Sequence, residues 1–454
     1  MKSIYLESLG CARNQVDSEI MLGRLEAAGW RITDDPEIAD AIVVNTCSFI
    51  ESAADESIDT ILALAAYKQS GQCRQLIVTG CLPQRYRDDI RQALPEVDLF
   101  LGTGGFADIV DALAHPHDGR ACRLPAPGSA PAQRASTPRR LLDSHMAYIR
   151  ISEGCNRHCA YCIIPSLRGR QKSRQPDDIA QECASLHRAG IKEAILVAED
   201  TTAYGHDLTP RLGLNDLLLQ LTDALNLLPA PILDDAGVSA DFRLRLLYGH
   251  PSSIDSGVIA TVAAHPRICP YFDLPIQHAS PKMLERMGRH YSPQRILDLI
   301  DDIRRRAPGA TLRTTVIVGF PGEDDDDFQQ LLDFIQAARF DLLGAFTYSD
   351  AADLPSHHLG GHVRPEIAQD RFDQVMALQE TISADLNQRH LNQIYHVLID
   401  SRQDDGMLIG RTAHQAPDVD GLTLIAHGHA EIGSYARVKI TETLAYDLIG
   451  EIIS

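Results

Sequence analysis

Short apolar runs alternate with amphipathic segments along the first quarter of the chain. Ser3–Leu9, Asp40–Asn45, Gln75–Thr79 and Val97–Leu101 read as buried strands, while Ser18–Ala28 and Ala53–Tyr67 repeat apolar residues at helical spacing. Strands alternating with helices predict a parallel sheet with right-handed crossovers. From about Ser144 the alternation resumes. Strands are expected at Met146–Ile151, Ala194–Ala198, Arg243–Leu247, Tyr271–Leu274, Leu312–Val318 and Leu343–Phe346. Helical patterns such as Asp177–Arg188, Leu214–Leu225, Ser253–Ala264, Pro293–Arg306 and Asp324–Ala338 separate them. Six such units suggest a partial parallel (β/α)6 barrel with its active site at the strand C-termini. After His390 the pattern changes to five short strand-like runs divided by Asp405-Gly406, Asp420-Gly421 and Gly433, which indicates a small β-barrel. The expected organisation is α/β, with domains at 1–113, 144–384 and 385–454. Between the first two, 114–143 reads as a linker centred on Leu124-Pro-Ala-Pro-Gly-Ser-Ala-Pro131.

The length of 454 residues fits about three domains. The first residues lack the charged region, apolar run and cleavage site of a signal peptide, and no apolar stretch has the length of a membrane span. A cytoplasmic protein is expected, so the ten cysteines point to metal binding or catalysis before disulfides. A net charge of −20 argues against an extensive nucleic-acid footprint and is compatible with a basic macromolecular partner, or with solubility alone. The C-terminal barrel repeats this balance, with nine carboxylates from Leu391 onward against four cations.

Six cysteines change the picture. Cys155, Cys159 and Cys162 form a Cys-x3-Cys-x2-Cys triplet just after the first barrel strand, with no fourth cysteine nearby. Three thiolates on a four-iron cluster leave one iron open, whereas electron-transfer clusters normally close all four positions. A zinc site completed by His158 is the competing reading. In the first domain Cys11, Cys47 and Cys81 each follow a strand end by one or two residues. A parallel sheet brings strand C-termini to one edge, so these three are expected to meet there, again without a fourth. Cys73 precedes its strand and reads as structural. Cys183 and Cys269 read as packed thiols, and Cys122 as incidental.

Other polar residues follow the barrel strands: Glu199 and Asp200, then His250, then Gln277 and His278, then Gly319 to Glu323 within Gly-Phe-Pro-Gly-Glu. A polar loop is the competing reading for each, and the stronger one for His250. The acidic run Glu323–Asp327 suits a helix N-terminus. The basic stretch Arg168–Arg174 fits either a ligand's carboxylate or phosphate, or a solvated loop.

With these residues in place, the chain resembles the radical S-adenosylmethionine methylthiotransferases over nearly its whole length. The resemblance rests on Gly10-Cys11, Asn45-Thr-Cys47, Gly80-Cys81, and Gly154-Cys155-Asn156 through Arg168-Gly169 and Ser173-Arg174. Within that family, Tyr271-Phe-Asp-Leu-Pro-Ile-Gln-His-Ala-Ser280, Phe346-Thr-Tyr-Ser349 and Tyr446-Asp-Leu-Ile-Gly-Glu451 look like the branch acting on an aspartate of ribosomal protein S12. Asp350-Ala-Ala-Asp353 replaces a family stretch that usually includes Glu-Glu-Gly, and Leu227–Ala240 looks like an inserted or lengthened loop.

The resemblance implies a flavodoxin-like first domain, a radical-SAM barrel and a C-terminal TRAM barrel. It implies two [4Fe-4S] clusters, an auxiliary one on Cys11, Cys47 and Cys81 and a radical-generating one on Cys155, Cys159 and Cys162. S-adenosylmethionine would chelate the open iron of the latter, with Tyr161, Glu199 and Gly319 in its pocket. Gln277 and His278 are implied substrate contacts. The implied reaction inserts sulfur and a methyl group at the β-carbon of the aspartate, drawing electrons from an external donor. A tRNA adenosine methylthiotransferase is the alternative from the same chemistry. A non-catalytic two-cluster carrier or RNA-binding protein is the alternative from a different class.

Overall fold

The computed structural model describes residues 2–114, 121–129, 133–234 and 237–453. Its first layer is a six-stranded parallel sheet in the order β2-β1-β3-β4-β5-β6. The strands are β1 Ser3–Ser8, β2 Arg31–Ile32, β3 Ala41–Thr46, β4 Gln75–Gly80, β5 Leu99–Gly102 and β6 Ala121–Arg123. Side chains alternate between two cores. Ala41 and Val43 pack with Val16, Ile20 and Ile109 of helices α1 (Ala12–Ala27) and α5 (Ile109–Ala114). Ile42 and Val44 pack on the other face with residues of α2 (Glu51–Ala65) and α4 (Cys81–Ala93), with the short α3 (Tyr67–Ser70) between those helices. This is the doubly wound, flavodoxin-like arrangement expected.

The linker expectation is corrected in part. Cys122 belongs to β6 and pairs with Phe100 in the sheet. Three residues among Pro and Gly carry too little apolar pattern to announce a strand; the open edge of β5 recruits them. Residues 115–120 and 130–132 of that segment lie outside the described residues.

The next domain holds all six expected strands. They are β7 Met146–Arg150, β10 Glu193–Val197, β11 Arg243–Leu246, β12 Tyr271–Asp273, β13 Thr311–Val318 and β14 Leu342–Thr347. They form two three-stranded parallel sheets, β7-β10-β11 and β12-β13-β14. A Leu244–Ile268 bridge and the bond from Gly249 N–H to the Asp273 carbonyl (3.0 Å) join them into one open arc. An antiparallel ribbon, β8 (Ser152–Glu153) with β9 (Lys172–Ser173), brackets the cysteine triplet and the short α6 (Ile164–Arg168). Outside lie α7 (Pro176–Arg188), α8 (Leu214–Asn226), α9 (Ser256–Ala264), α10 (Pro281–Arg286), α11 (Pro293–Arg306), α12 (Asp325–Ala338) and α13 (Pro365–Asn387). The 23-residue α13 buries a narrow stripe that includes Arg371, Gln379 and Ser383, so apolar periodicity does not reveal it.

The last five strands, β15 (Ile394–Arg402), β16 (Leu408–Arg411), β17 (Thr423–His427), β18 (Tyr435–Thr443) and β19 (Leu448–Ile452), close into a barrel. It docks on the N-terminal ends of the arc's strands. Arg411 bonds Glu193 (2.9 Å), which also holds Arg245 (2.6 Å), and all three side chains are buried. Tyr271 donates to Asp420 (2.6 Å) and Tyr148 to Asp418 (3.1 Å). Part of this barrel's acidity is therefore internal. Outward-facing Asp404, Asp405, Glu431, Glu442 and Glu451 still outnumber Arg402, Arg437 and Lys439. No helix among the described residues is long and apolar enough to cross a membrane.

The basic stretch is corrected as well, being neither a ligand contact nor a solvated loop at its two ends. Arg168 donates to Asn14 (2.7 Å) and Asp17 (3.1 Å) of α1 and to Glu153 (2.6 Å). Arg174 holds Glu182 (2.6 Å) and Asp178 (2.6 Å). Both arginines are buried, and Arg168 fastens the first domain onto the arc.

Candidate active site

The glycine before each first-domain cysteine of the Gly-Cys pairs explains the turn. Gly80 has φ +96°, and a Cβ there would lie 2.5 Å from the Thr46 carbonyl; one on Gly10 (φ +91°) would lie 2.8 Å from the Cys47 Cβ. Only glycine lets the strand ends approach so closely, and that brings the cysteines to one edge. The thiols feel one another: burial and the charge of Cys11 both act to raise Cys47, and burial pushes Cys81 up to about 12 with Cys47 and Cys11 adding to it. Cys11 differs. Burial acts to raise it, but Arg13, Arg168 and the backbone N–H groups of Asn14 and Arg13 hold it below the ordinary thiol value. Asn14 ties the edge together, donating to the carbonyls of Leu9 (3.1 Å) and Thr46 (2.8 Å) while accepting from Arg168.

The second triplet sits on the arc's C-terminal edge. Cys155 N–H bonds the Gly169 carbonyl (3.0 Å), Cys162 N–H the Cys159 carbonyl (3.1 Å), and Arg157 N–H the Cys155 Sγ (3.4 Å). Burial pushes the thiols of Cys155 up to about 11 and Cys162 up to about 12. A metal held by these thiols would displace their protons. His158 is exposed. Among the described residues no three His, Cys, Asp or Glu side chains converge tightly enough for a single metal ion.

A cleft of about 230 Å³ opens between the two domains and is lined by all three cysteines of this triplet together with Tyr161, Glu199 and Gln277. Arg13 and Phe49 reach into it from the first domain. Cys81 packs against Ile163 and Leu167, immediately beyond the triplet. Cys11, Cys47 and Cys81 are not among the lining residues, but Arg13 and Phe49, each two positions from one of them, are. Tyr161 accepts a bond from Arg289 (3.0 Å) and packs edge-on against Phe320. Glu199 is buried with both carboxylate oxygens free of hydrogen bonds; burial, then Glu153, push its carboxyl up. Gln277 and Tyr248 line the cleft at φ +68° and +62°, strain that the surrounding fold holds at the site.

Two implied site residues fall elsewhere. His278 is fully buried; its Nδ1 accepts from Ser280 N–H (2.9 Å), and burial drives the imidazole down to about 3. It shapes the turn into α10 and does not line the cleft. Gly319 does not line the cleft. It has φ +75°, and a Cβ there would stand 2.5 Å from the Ala368 Cβ, so the glycine serves close packing of α13. Gly319→Ala is expected to destabilise the chain by about 1–3 kcal/mol, seen as a lower thermal midpoint. Its affinity for S-adenosylmethionine should match that of the parent chain; a weakened affinity with unchanged stability would restore the pocket role.

Other cleft residues were not singled out from sequence. Arg13 follows Cys11 by two positions, a signal that was present. Arg157 pairs with Asp200 (2.8 Å), and Arg289 comes from the turn after α10; nothing local marks either. His250 also lines the cleft rather than a bland loop. Of the remaining cysteines, Cys73, Cys183 and Cys269 are buried in the cores as expected. Glu323 is buried against Arg371 (2.9 Å), while Asp324 caps α12. In the lengthened loop, Leu233 bridges Ser239, and residues 235–236 lie outside the described residues.

Three family models match successive parts of the chain: uncharacterized protein family UPF0004 over 3–102, the Radical SAM superfamily over 149–335 and the TRAM domain over 393–453. Among solved structures, the radical S-adenosylmethionine methyltransferase TsrM from Kitasatospora setae superimposes with a TM-score of 0.57 at 15% identity, covering 79% of this chain and 75% of its own. That likeness concerns the fold. Two proteins named ribosomal protein uS12 methylthiotransferase RimO are much nearer in sequence. The one from Desulfosudis oleivorans is 47% identical over 99% of both chains. The one from Clostridioides difficile is 40% identical over 100% of this chain and 99% of its own. With identity of this order over 99% or more of its length, the chain belongs to the ribosomal protein uS12 methylthiotransferase RimO family, within the Radical SAM superfamily.

Proposed function

We propose that this protein is a radical S-adenosylmethionine methylthiotransferase acting on the β-carbon of an aspartate in small-subunit ribosomal protein S12, giving 3-methylthioaspartate. The observation that carries the reading is the cleft between the two domains: Cys155, Cys159 and Cys162 line it, and Arg13 and Phe49, each two residues from a first-domain cysteine, reach into it. Cys155, Cys159 and Cys162 would hold the radical-generating [4Fe-4S] cluster, and Cys11, Cys47 and Cys81 an auxiliary one. When bound, the clusters and S-adenosylmethionine supply a carbon radical able to take an unactivated hydrogen, and a methylated sulfur to replace it.

The chain's own residues bind, orient and exclude water. Tyr161, fixed by Arg289 and Phe320, presents a held aromatic surface for the adenine. Asp200 and Ser253 pin Arg157 at the triplet (2.8 and 2.6 Å). Gln277 offers a side-chain amide to the substrate at the cleft wall. Arg168 and Asn14 keep the two cysteine edges in register across the domain boundary. Electrons come from an external donor. The acidic surface suits a basic ribosomal protein better than a phosphate backbone.

Reconstituted enzyme, S-adenosylmethionine and reductant are to be incubated with S12 or with tRNA and the products weighed by mass spectrometry. A methylthio group on S12 is expected. A gain on tRNA alone would replace this reading with the adenosine-modifying one; intact clusters without product on either would favour a non-catalytic protein.

A further inference from the structure

The three arginines that line the cleft are not equivalent. Arg157 is committed to Asp200 (2.8 Å) and Ser253 (2.6 Å), and Arg289 to the Tyr161 hydroxyl and the Pro275 carbonyl (each 3.0 Å). Arg13 makes one long bond, to the Ala198 carbonyl (3.3 Å), and its Nε is buried without a hydrogen bond. Its nearest carboxylate, Glu199, stands 4.0 Å away, beyond hydrogen-bonding reach, and is also 3.8 Å from Arg168, so Glu199 has a second counter-charge. The guanidinium lies over the Tyr248 ring at 4.4 Å, which fixes its plane while its donor edges stay available. Cys11 and Glu199 face the guanidinium without a hydrogen bond to it, and the side chain keeps 14% exposure at the cleft, so its donors remain open to an anion entering there.

We propose that Arg13 binds the carboxylate of the substrate aspartate and selects an anionic side chain at the reacting position. This rests on the function proposed above and adds a residue to it. The planar fork of a guanidinium matches a carboxylate in two parallel bonds, which a neutral amide or a nucleobase edge does not reproduce with the same charge. Arg13 is two residues from Cys11, so a side chain held there lies beside the auxiliary cysteines and in the same cleft as the triplet. Holding the carboxylate at Arg13 holds the β-carbon bonded to it in the cleft that Cys155, Cys159 and Cys162 line.

The test is equilibrium binding of S12, and of S12 with its target aspartate changed to Asn, to cluster-loaded enzyme with S-adenosylmethionine and no reductant. The parent enzyme is expected to prefer the aspartate form by about 10- to 100-fold. Arg13→Met should bind both forms alike, and Arg13→Lys, which keeps the charge without the fork, should retain an intermediate preference. Iron content is measured for each variant, and the preference is a ratio within one variant, which a merely structural loss would not change. If both variants keep the parent preference, the inference is overturned while the functional reading stands. If the parent enzyme makes no methylthioaspartate on S12, the functional reading falls and this inference with it.

Discussion

Replacing Cys155 by Ala is expected to abolish both the reductive cleavage of S-adenosylmethionine and the methylthio product, and to remove about half of the bound iron. Replacing Cys47 by Ala should also cost about half of the iron, yet leave measurable cleavage of S-adenosylmethionine with no methylthio product. The two sets are separable because each has its own scaffold. Cys155 hangs on the ribbon of β8 and β9 and on the Gly169 carbonyl, within the arc. Cys47 is held by Ser57 of α2, which accepts from its N–H (3.1 Å) and donates to its carbonyl (2.9 Å). Loss of one set leaves the backbone of the other intact. Iron analysis, 5′-deoxyadenosine quantified by chromatography and mass spectrometry of S12 read the three quantities. A Cys155→Ala enzyme that still modified S12 would remove the triplet from the chemistry.

The second large effect is structural. Glu193→Gln is expected to destabilise the docking of the C-terminal barrel by about 3–5 kcal/mol, because it takes the carboxylate from buried Arg245 and Arg243, while Arg411 keeps Asp400 (2.8 Å). Glu193 is fully buried and meets Arg245 (2.6 Å), Arg411 (2.9 Å) and Arg243 (3.3 Å). Burial alone would raise its pKa, but the three cations hold it far below the ordinary carboxylate value. A depressed pKa stabilises the fold above the unfolded value of about 4.3. That contribution is complete at neutral pH and is lost as pH falls from about 5 toward the folded value. Hydrogen exchange on β15–β19 should therefore show early opening in the variant at neutral pH, and in the parent chain only under acid. Equal protection in both at neutral pH would show that the cluster does not hold the domains together.

Much of the fold is written in local pattern. Ala41–Val44 is apolar on both faces because both faces are covered, and the length of the run identifies a strand without any tertiary knowledge. The six arc strands and the closed barrel are legible for the same reason. The strand β6 and helix α13 are not, since an open sheet edge creates one and polar buried residues line the other. At the site, cysteine spacing and strand ends locate both triplets. Charge is less readable. Arg168 and Arg174 look like solvent or ligand contacts in sequence, but their carboxylate partners come from segments far along the chain. His278 lies in the loop after β12 with its imidazole in the core beside cleft-lining Gln277, and Gly319 after β13 packs against Ala368; sequence position near a strand end does not tell which neighbour meets the cleft.

The most direct measurement uses S12 deuterated at the β-carbon of its target aspartate. Incubated with cluster-loaded enzyme, S-adenosylmethionine and reductant, it should transfer deuterium to 5′-deoxyadenosine while S12 gains one methylthio group at that carbon. Methylthiolated S12 accompanied by 5′-deoxyadenosine free of deuterium would contradict a radical generated at Cys155, Cys159 and Cys162 acting on the aspartate held in the shared cleft.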